Sequence, residues 1–201
     1  MPNEQGTGVR YGFLVDLRRC IGCQSCAVAC KSENDVPLAV FRSWVKVVEK
    51  GAHPSTRKSF LPLLCNNCED PICVTVCPVR ANRKRPDGIV TYDPHRCVGC
   101  RYCMAACPYE VRYIHPIKKI VEKCHWCMHR VDKGLLPACV EACPVGARIF
   151  GDLNDHESEI SRMIASNSTQ VLMPEMGTDP KVFYIGLDEA AVSAKRKVSI
   201  W

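Results

Sequence analysis

Sixteen cysteines in 201 residues fall into four groups of four, with none left over. The first reads Cys20-x2-Cys23-x2-Cys26-x3-Cys30, and the second Cys65-x2-Cys68-x4-Cys73-x3-Cys77-Pro78. The third reads Cys97-x2-Cys100-x2-Cys103-x3-Cys107-Pro108, and the fourth Cys124-x2-Cys127-x11-Cys139-x3-Cys143-Pro144. The first and third have the bacterial ferredoxin spacing, in which three close thiolates wrap one iron–sulfur cube and the fourth reaches a neighbouring cube. Four complete sets predict four [4Fe–4S] clusters and one-electron chemistry.

Other uses of the cysteines fit less well. A disulfide framework is disfavoured, because C-x2-C-x2-C packs thiols too densely for separate distant partners. The start of the sequence also shows no charged region followed by an apolar one, so no signal peptide is expected. Zinc ribbons use two C-x2-C pairs, not three cysteines within seven residues. Only 7% of residues are aromatic, a thin supply for a conventional core, and clusters that bridge several loops would make up the interior. The formal charge is +6. Four cubes with their thiolates carry about −8, which brings the loaded protein to roughly −2. The basic residues therefore offset cluster charge, and no nucleic-acid partner is expected. Arg80, Arg83, Lys84 and Arg85 precede the turn residues Pro86, Asp87 and Gly88, and are expected to form a solvated hairpin tip. No apolar run is long enough to span a bilayer.

No Ser/His/Asp set and no phosphate loop occurs, so no catalytic site is expected. His125 directly follows a cysteine and is expected to support or flank a site, not to ligate. His95, His115 and His129 flank the groups without an acid–base partner pattern. Arg101, Tyr102, Arg112 and Tyr113 flank the third group, where tuning of a cluster, a partner contact and simple packing are all open readings.

The elements that must hold these groups follow an internal repeat. Asp16-Leu-Arg-Arg-Cys20-Ile-Gly-Cys23 matches Asp93-Pro-His-Arg-Cys97-Val-Gly-Cys100, and Pro71-Ile-Cys73-Val-x2-Cys77-Pro-Val matches Pro137-Ala-Cys139-Val-x2-Cys143-Pro-Val. The order is odd, even, odd, even, which reads as a duplicated two-cluster ferredoxin. Residues 12–16 and 88–92 read as short strands leading into the odd loops. A short helix is expected between the third and fourth cysteine of each group, stopped by the proline after Cys77, Cys107 and Cys143. Lys31 follows Cys30 instead. Residues 31–64 and 151–201 lack cysteine and look like additions. Within the second, residues 181–187 read as a strand, either packed into the fold or docking on a partner. Spacing alone leaves two pairings of the groups open: the second with the third inside the first and fourth, or the third with the fourth.

The sequence resembles the four-cluster iron–sulfur subunits of the dimethyl sulfoxide reductase superfamily of molybdoenzymes, especially the polysulfide, thiosulfate and tetrathionate reductase branch. The resemblance rests on Cys20-Ile-Gly-Cys-Gln-Ser-Cys-Ala-Val-Ala-Cys-Lys, Cys97-Val-Gly-Cys-Arg-Tyr-Cys-Met-Ala-Ala-Cys-Pro-Tyr and Leu136-Pro-Ala-Cys-Val-Glu-Ala-Cys-Pro. It extends to Phe150-Gly-Asp-Leu and Pro174-Glu-Met-Gly-Thr-x-Pro-Lys-Val-Phe-Tyr, and covers about residues 11–187.

It implies an α+β fold of two nested bacterial-type 2x[4Fe–4S] ferredoxin units from an internal duplication, with added loops and a C-terminal extension. Residues 1–64 would be the first half of the outer unit plus an insertion, 65–116 the inner unit and 117–150 the second half of the outer unit. Residues 151–201 would dock on a partner. It implies four ligand sets: Cys20, Cys23, Cys26 and Cys143; Cys30, Cys124, Cys127 and Cys139; Cys65, Cys68, Cys73 and Cys107; and Cys77, Cys97, Cys100 and Cys103. Some relatives carry tryptophan in place of the second cysteine of the third group and hold a [3Fe–4S] centre; with Cys100 present, a cube is expected.

In that order the clusters would link a molybdopterin-type catalytic subunit to a quinone-interacting integral membrane subunit. The surface around residues 97–113 would face the membrane subunit. The 151–201 segment would contact the catalytic subunit, so that deletion of residues 171–201 weakens that contact with cluster content kept. The resemblance places the complex on the extracytoplasmic (periplasmic) face after co-export, with the cytoplasmic face as alternative. The alternative functions are the same role in a formate dehydrogenase or hydrogenase, or a zinc- or cluster-bearing nucleic-acid-binding module.

Overall fold

The first C-x2-C pair of each cysteine group turns on a residue with left-handed backbone, immediately before the second cysteine: Gly22, Asn67, Gly99 and Trp126, at φ of 70°, 41°, 69° and 51°. Glycine takes this conformation without cost. At Gly22 it is needed twice over, because the Phe60 ring occupies the place of a Cβ. The computed structural model describes residues 8–188 and residue 192. Residues 1–7, where no leader is expected, and residues 189–191 and 193–201 of the expected docking extension lie outside the described residues.

In sequence order the elements are β1 (Tyr11–Asp16), α1 (Ser25–Glu33), β2 (Ser43–Lys50), β3 (Arg57–Leu64), α2 (Ile72–Thr75), β4 (Asn82–Lys84) and β5 (Val90–Tyr92). Then follow α3 (Tyr102–Ala105), β6 (Arg112–Ile114), β7 (Val121–Lys123), α4 (Met128–Val131), α5 (Ala138–Glu141) and β8 (Arg148–Asp152). Last come α6 (Glu159–Ser166), β9 (Thr169–Gln170), a 3₁₀ turn (Pro174–Met176) and β10 (Val182–Ile185).

The expected short helices are present. α2, α3 and α5 each run four residues and end two residues before a Cys-Pro pair. Proline cannot continue the helical hydrogen-bond ladder. Where Lys31 replaces it, α1 carries on through Cys30 to Glu33. The three Cys-Pro turns then feed strands that begin five residues after the cysteine, at Asn82, Arg112 and Arg148.

Four strands form one sheet in the order β8-β1-β10-β9, with β1 and β10 parallel and the other two pairings antiparallel. β1 is buried on both faces. Leu14, Ile149 and Ile185 pack on Ile160 of α6, whose start is capped by Ser158 accepting from Ser161 N. Phe13, Val15, Val182 and Tyr184 face the other way, into a core shared with Leu61, Leu64, Trp126, Cys65, Cys124 and Cys139. The strand expected at 181–187 is therefore a packed one. It lies between β1 and β9, with Val182 and Tyr184 fully buried.

Residues 31–64 build the β2–β3 hairpin, which closes over this core through Val45, Leu61 and Leu64. Short hairpins β4–β5 and β6–β7 follow the second and third cysteine groups. The basic run forms part of the β4–β5 hairpin, but it is only half solvated. Arg80 and Arg83 are exposed; Lys84 pairs with Glu69, and Arg85 with Asp87 and Asp132.

Candidate iron–sulfur sites

Packing of the helices sorts the cysteine groups: α1 lies against α5, and α2 against α3. The thiols follow. Cys20 has Cys26 and Cys143 as neighbours, and Cys23 stands at the exposed rim beside Ser25. Cys30, Cys124, Cys127 and Cys139 are mutual neighbours, and all four are buried. One cavity is lined by Cys65, Cys68, Cys73 and Cys107. A second is lined by Cys77, Cys97, Cys100 and Cys103. The four sets also lie close enough in series for each to feel the charge of the next, directly or through an intervening cation. Cys139 lies near Cys26, Cys124 near Cys65, and Arg112 reaches both Cys73 and Cys103. Cys23 and Cys100, in the two end sets, are the exposed members of the sixteen.

The donor chemistry suits iron–sulfur clusters. All sixteen thiols are free, and backbone N–H groups point at their sulfurs. Ala81 donates to Cys77 and Ala147 to Cys143, both at 3.2 Å; Trp126 donates to Cys124 at 3.4 Å. Such bonds stabilise a charged sulfur and raise a cluster's reduction potential. Burial pushes the Cys30 and Cys68 thiols up to about 12. At Cys77 burial acts upward too, but backbone donors at Asn82, Ala81 and Val79 outweigh it and the thiol falls below its ordinary value. Iron must therefore displace protons from the deepest thiols, and loading is coupled to proton release.

The flanking residues divide. His125 is buried against Arg42, and burial first, then the Arg42 and Lys123 charges, lower it to about 3, so it is a neutral imidazole. His115 is buried and accepts from the backbone of Ile117 and Lys118, fixing the β6–β7 turn. His129 pairs with Glu33, and His95 is exposed. Arg101 and Tyr102 are exposed, whereas Arg112 and Tyr113 are buried.

Three contributors carry no spacing signal. Asn34 points its amide nitrogen at the sulfurs of Cys30 and Cys127, 3.9 and 3.7 Å away. Arg42 holds the Asn34 oxygen at 3.1 Å while pairing with Glu122 at 2.8 Å. Thr178, from the C-terminal segment, lines the Cys65 cavity and bonds Tyr109 at 2.6 Å.

The 4Fe-4S dicluster domain family matches residues 56–153. A tetrathionate reductase subunit of Salmonella typhimurium is 50% identical over 188 residues, 92% of this chain and 75% of that protein. A polysulfide reductase component of Wolinella succinogenes is 41% identical, over 88% of this chain and 94% of that protein. The arsenate respiratory reductase iron–sulfur subunit of a Shewanella species is 35% identical, over 88% of this chain and 96% of that protein. Cysteine chemistry and these similarities converge: this protein belongs to the iron–sulfur electron-transfer subunits of the dimethyl sulfoxide reductase superfamily.

Proposed function

We propose that this protein carries single electrons through four [4Fe–4S] clusters, between a quinone-interacting membrane subunit and a molybdopterin-type catalytic subunit. The observation that carries the reading is the serial proximity of four complete thiol sets, with one exposed thiol in each end set. The clusters supply the redox chemistry. The protein's own residues fix their spacing, shield the inner two from water and donate N–H groups to sulfur.

The ligand sets would be those implied by the resemblance, from Cys20, Cys23, Cys26 and Cys143 through to Cys77, Cys97, Cys100 and Cys103. Packing of α1 on α5 and of α2 on α3 supports the nested duplication, with residues 65–116 as the inner unit and 1–64 with 117–150 as the outer. Ile21 and Val28 lie exposed by the Cys23 end, and Val98 and Tyr102 by the Cys100 end. Apolar groups beside an exposed cluster edge suit a partner subunit at each end, the membrane subunit at the Cys100 end. Among the described residues no helix is long and apolar enough to cross a membrane. In the assembled complex, Cys100→Ser should abolish quinol-driven turnover while dye-driven turnover of the catalytic subunit persists. Undiminished quinol-driven turnover in a variant that has lost this cluster would remove the protein from the electron path.

A further inference from the structure

Five cationic side chains are buried among the described residues: Arg42, Arg112, Lys123, Arg148 and Lys181. Two have carboxylates. Arg42 pairs with Glu122, and Lys181 with Asp179 and Glu69. Arg112, Lys123 and Arg148 are 6%, 0% and 3% exposed and pair with no carboxylate among the described residues. Arg148 donates from Nη2 to Ser43 Oγ at 3.0 Å and also faces the Cys139 thiol; its Nη1 has no nitrogen or oxygen partner among the described residues. Arg112 donates from Nη1 to Asn82 Oδ1 at 3.1 Å and also faces the Cys73 thiol; its Nη2 has no nitrogen or oxygen partner among the described residues. Lys123 meets only carbonyl oxygens: Asn67 Oδ1 at 3.3 Å, Cys124 O at 2.8 Å, and Val90 O. A buried charge without a counter-charge is strongly unfavourable, so a negative group must complete each site.

Position identifies that group. Arg148 acts on Cys139 and Cys30 on one side and on Cys26 and Cys20 on the other, between the first and second thiol sets. Lys123 bonds the Cys124 carbonyl of the second set and the Asn67 side chain, which lines the cavity of the third set. Arg112 lies among Cys73, Cys65 and Cys107 of the third set and Cys103 of the fourth. The two arginines also hold equivalent places in the repeat, each five residues after a Cys-Pro cysteine and each opening a strand. A merely structural cation would be free to take a carboxylate partner, as Arg42 does.

We propose that Arg148, Lys123 and Arg112 are fixed counter-charges of the electron path, one in each gap between successive clusters, that hold the reduction potentials up and damp repulsion between neighbours. This rests on the four-cluster reading. When one electron moves between adjacent cubes, the donor goes from about −3 to about −2 and the acceptor from about −2 to about −3, counting thiolates, and no proton moves. A cation in the gap favours the reduced form of both neighbours and attracts the electron wherever it resides. Buried and unscreened, it acts far more strongly than a surface charge.

The test is an anaerobic redox titration, read by low-temperature EPR, of the full-length protein with clusters loaded. Arg148→Gln and Arg112→Gln are compared with the unsubstituted protein. Charge removal should lower the reduced-to-oxidised ratio about tenfold at the two flanking clusters, about 59 mV for a one-electron couple, and much less at the other two. Arg148→Lys and Arg112→Lys keep the charge and should stay within about threefold. If a glutamine variant fails to load, the lysine variant decides: near-native midpoints support the proposal and a tenfold loss overturns it. Unmoved midpoints in a fully loaded glutamine variant overturn the proposal alone. An unsubstituted protein holding well under about 16 iron overturns the four-cluster reading, and this proposal with it.

Discussion

Trp126 donates its indole N–H to the backbone carbonyl of Cys65 at 3.1 Å, joining the fourth cysteine group to the second across 61 residues. The ring is 1% exposed and packs edge-on against Phe150. Its left-handed backbone also turns the Cys124–Cys127 loop. Trp126→Phe keeps most of the packing and should cost about 1 kcal/mol for the lost hydrogen bond. Trp126→Ala should cost about 3–5 kcal/mol through the cavity it leaves. Anaerobic denaturant titrations of the loaded variants check the order; equal effects would mean that the ring's bulk contributes nothing.

Arg42 and Glu122 form an ion pair with both side chains almost fully buried, at 6% and 5% exposure. Removing one partner strands the other. Arg42→Met should destabilise by about 3–5 kcal/mol, whereas the double variant Arg42→Met with Glu122→Leu should recover much of that loss. A double variant no better than the single one would show that the Asn34 and tyrosine contacts of Arg42, not the charge, carry the effect.

Deletion of residues 171–201 should lower cluster content, contrary to the expectation drawn from the sequence. Glu69 N donates to Asp179 O, Asp70 N to Thr178 O and Lys181 N to Asn66 O, so residues 178–181 clamp the Cys65–Cys73 loop. The same cut removes β10 from the middle of the sheet. The truncated protein should lose at least about 4 iron. Full iron content after truncation would show the clamp to be dispensable.

Asp16 is buried and accepts from Arg18, whose guanidinium holds the carboxyl below its ordinary value of 3.8. A lowered folded-state value means that its stabilisation is present above pH 3.8 and is lost as pH falls through the lower folded value. The stability difference between the unsubstituted protein and Asp16→Asn should therefore be flat near neutrality and shrink in acid. A difference that grows as pH falls would reverse the assignment.

Much of this was legible in the sequence because it is local. The Cys-Pro stops and the strand at 182–185 both announce themselves within a few residues. The arginines at 112 and 148 left a faint trace, the shared offset from Cys107 and Cys143. What stayed hidden is long-range. Asn34 and Arg42 reach Cys127 and Glu122 across 93 and 80 residues, and Thr178 joins a cavity built around residues 65–112. No periodicity encodes such contacts, because they arise only when the β2–β3 hairpin and the C-terminal strand close over the cysteine loops.

Pairing of the thiol sets is tested by single ligand changes. Cys143→Ser should alter the EPR signature of the cluster held by Cys20, Cys23 and Cys26, and Cys30→Ser that of Cys124, Cys127 and Cys139, in keeping with their proximity. If Cys143→Ser changed the Cys97 cluster instead, the third and fourth groups would be partners.

The most direct measurement is iron and acid-labile sulfide per polypeptide in anaerobically prepared, fully folded protein. Four complete thiol sets predict about 16 of each. A reproducible content near about 12 or below, with the fold intact, would contradict the four-cluster path.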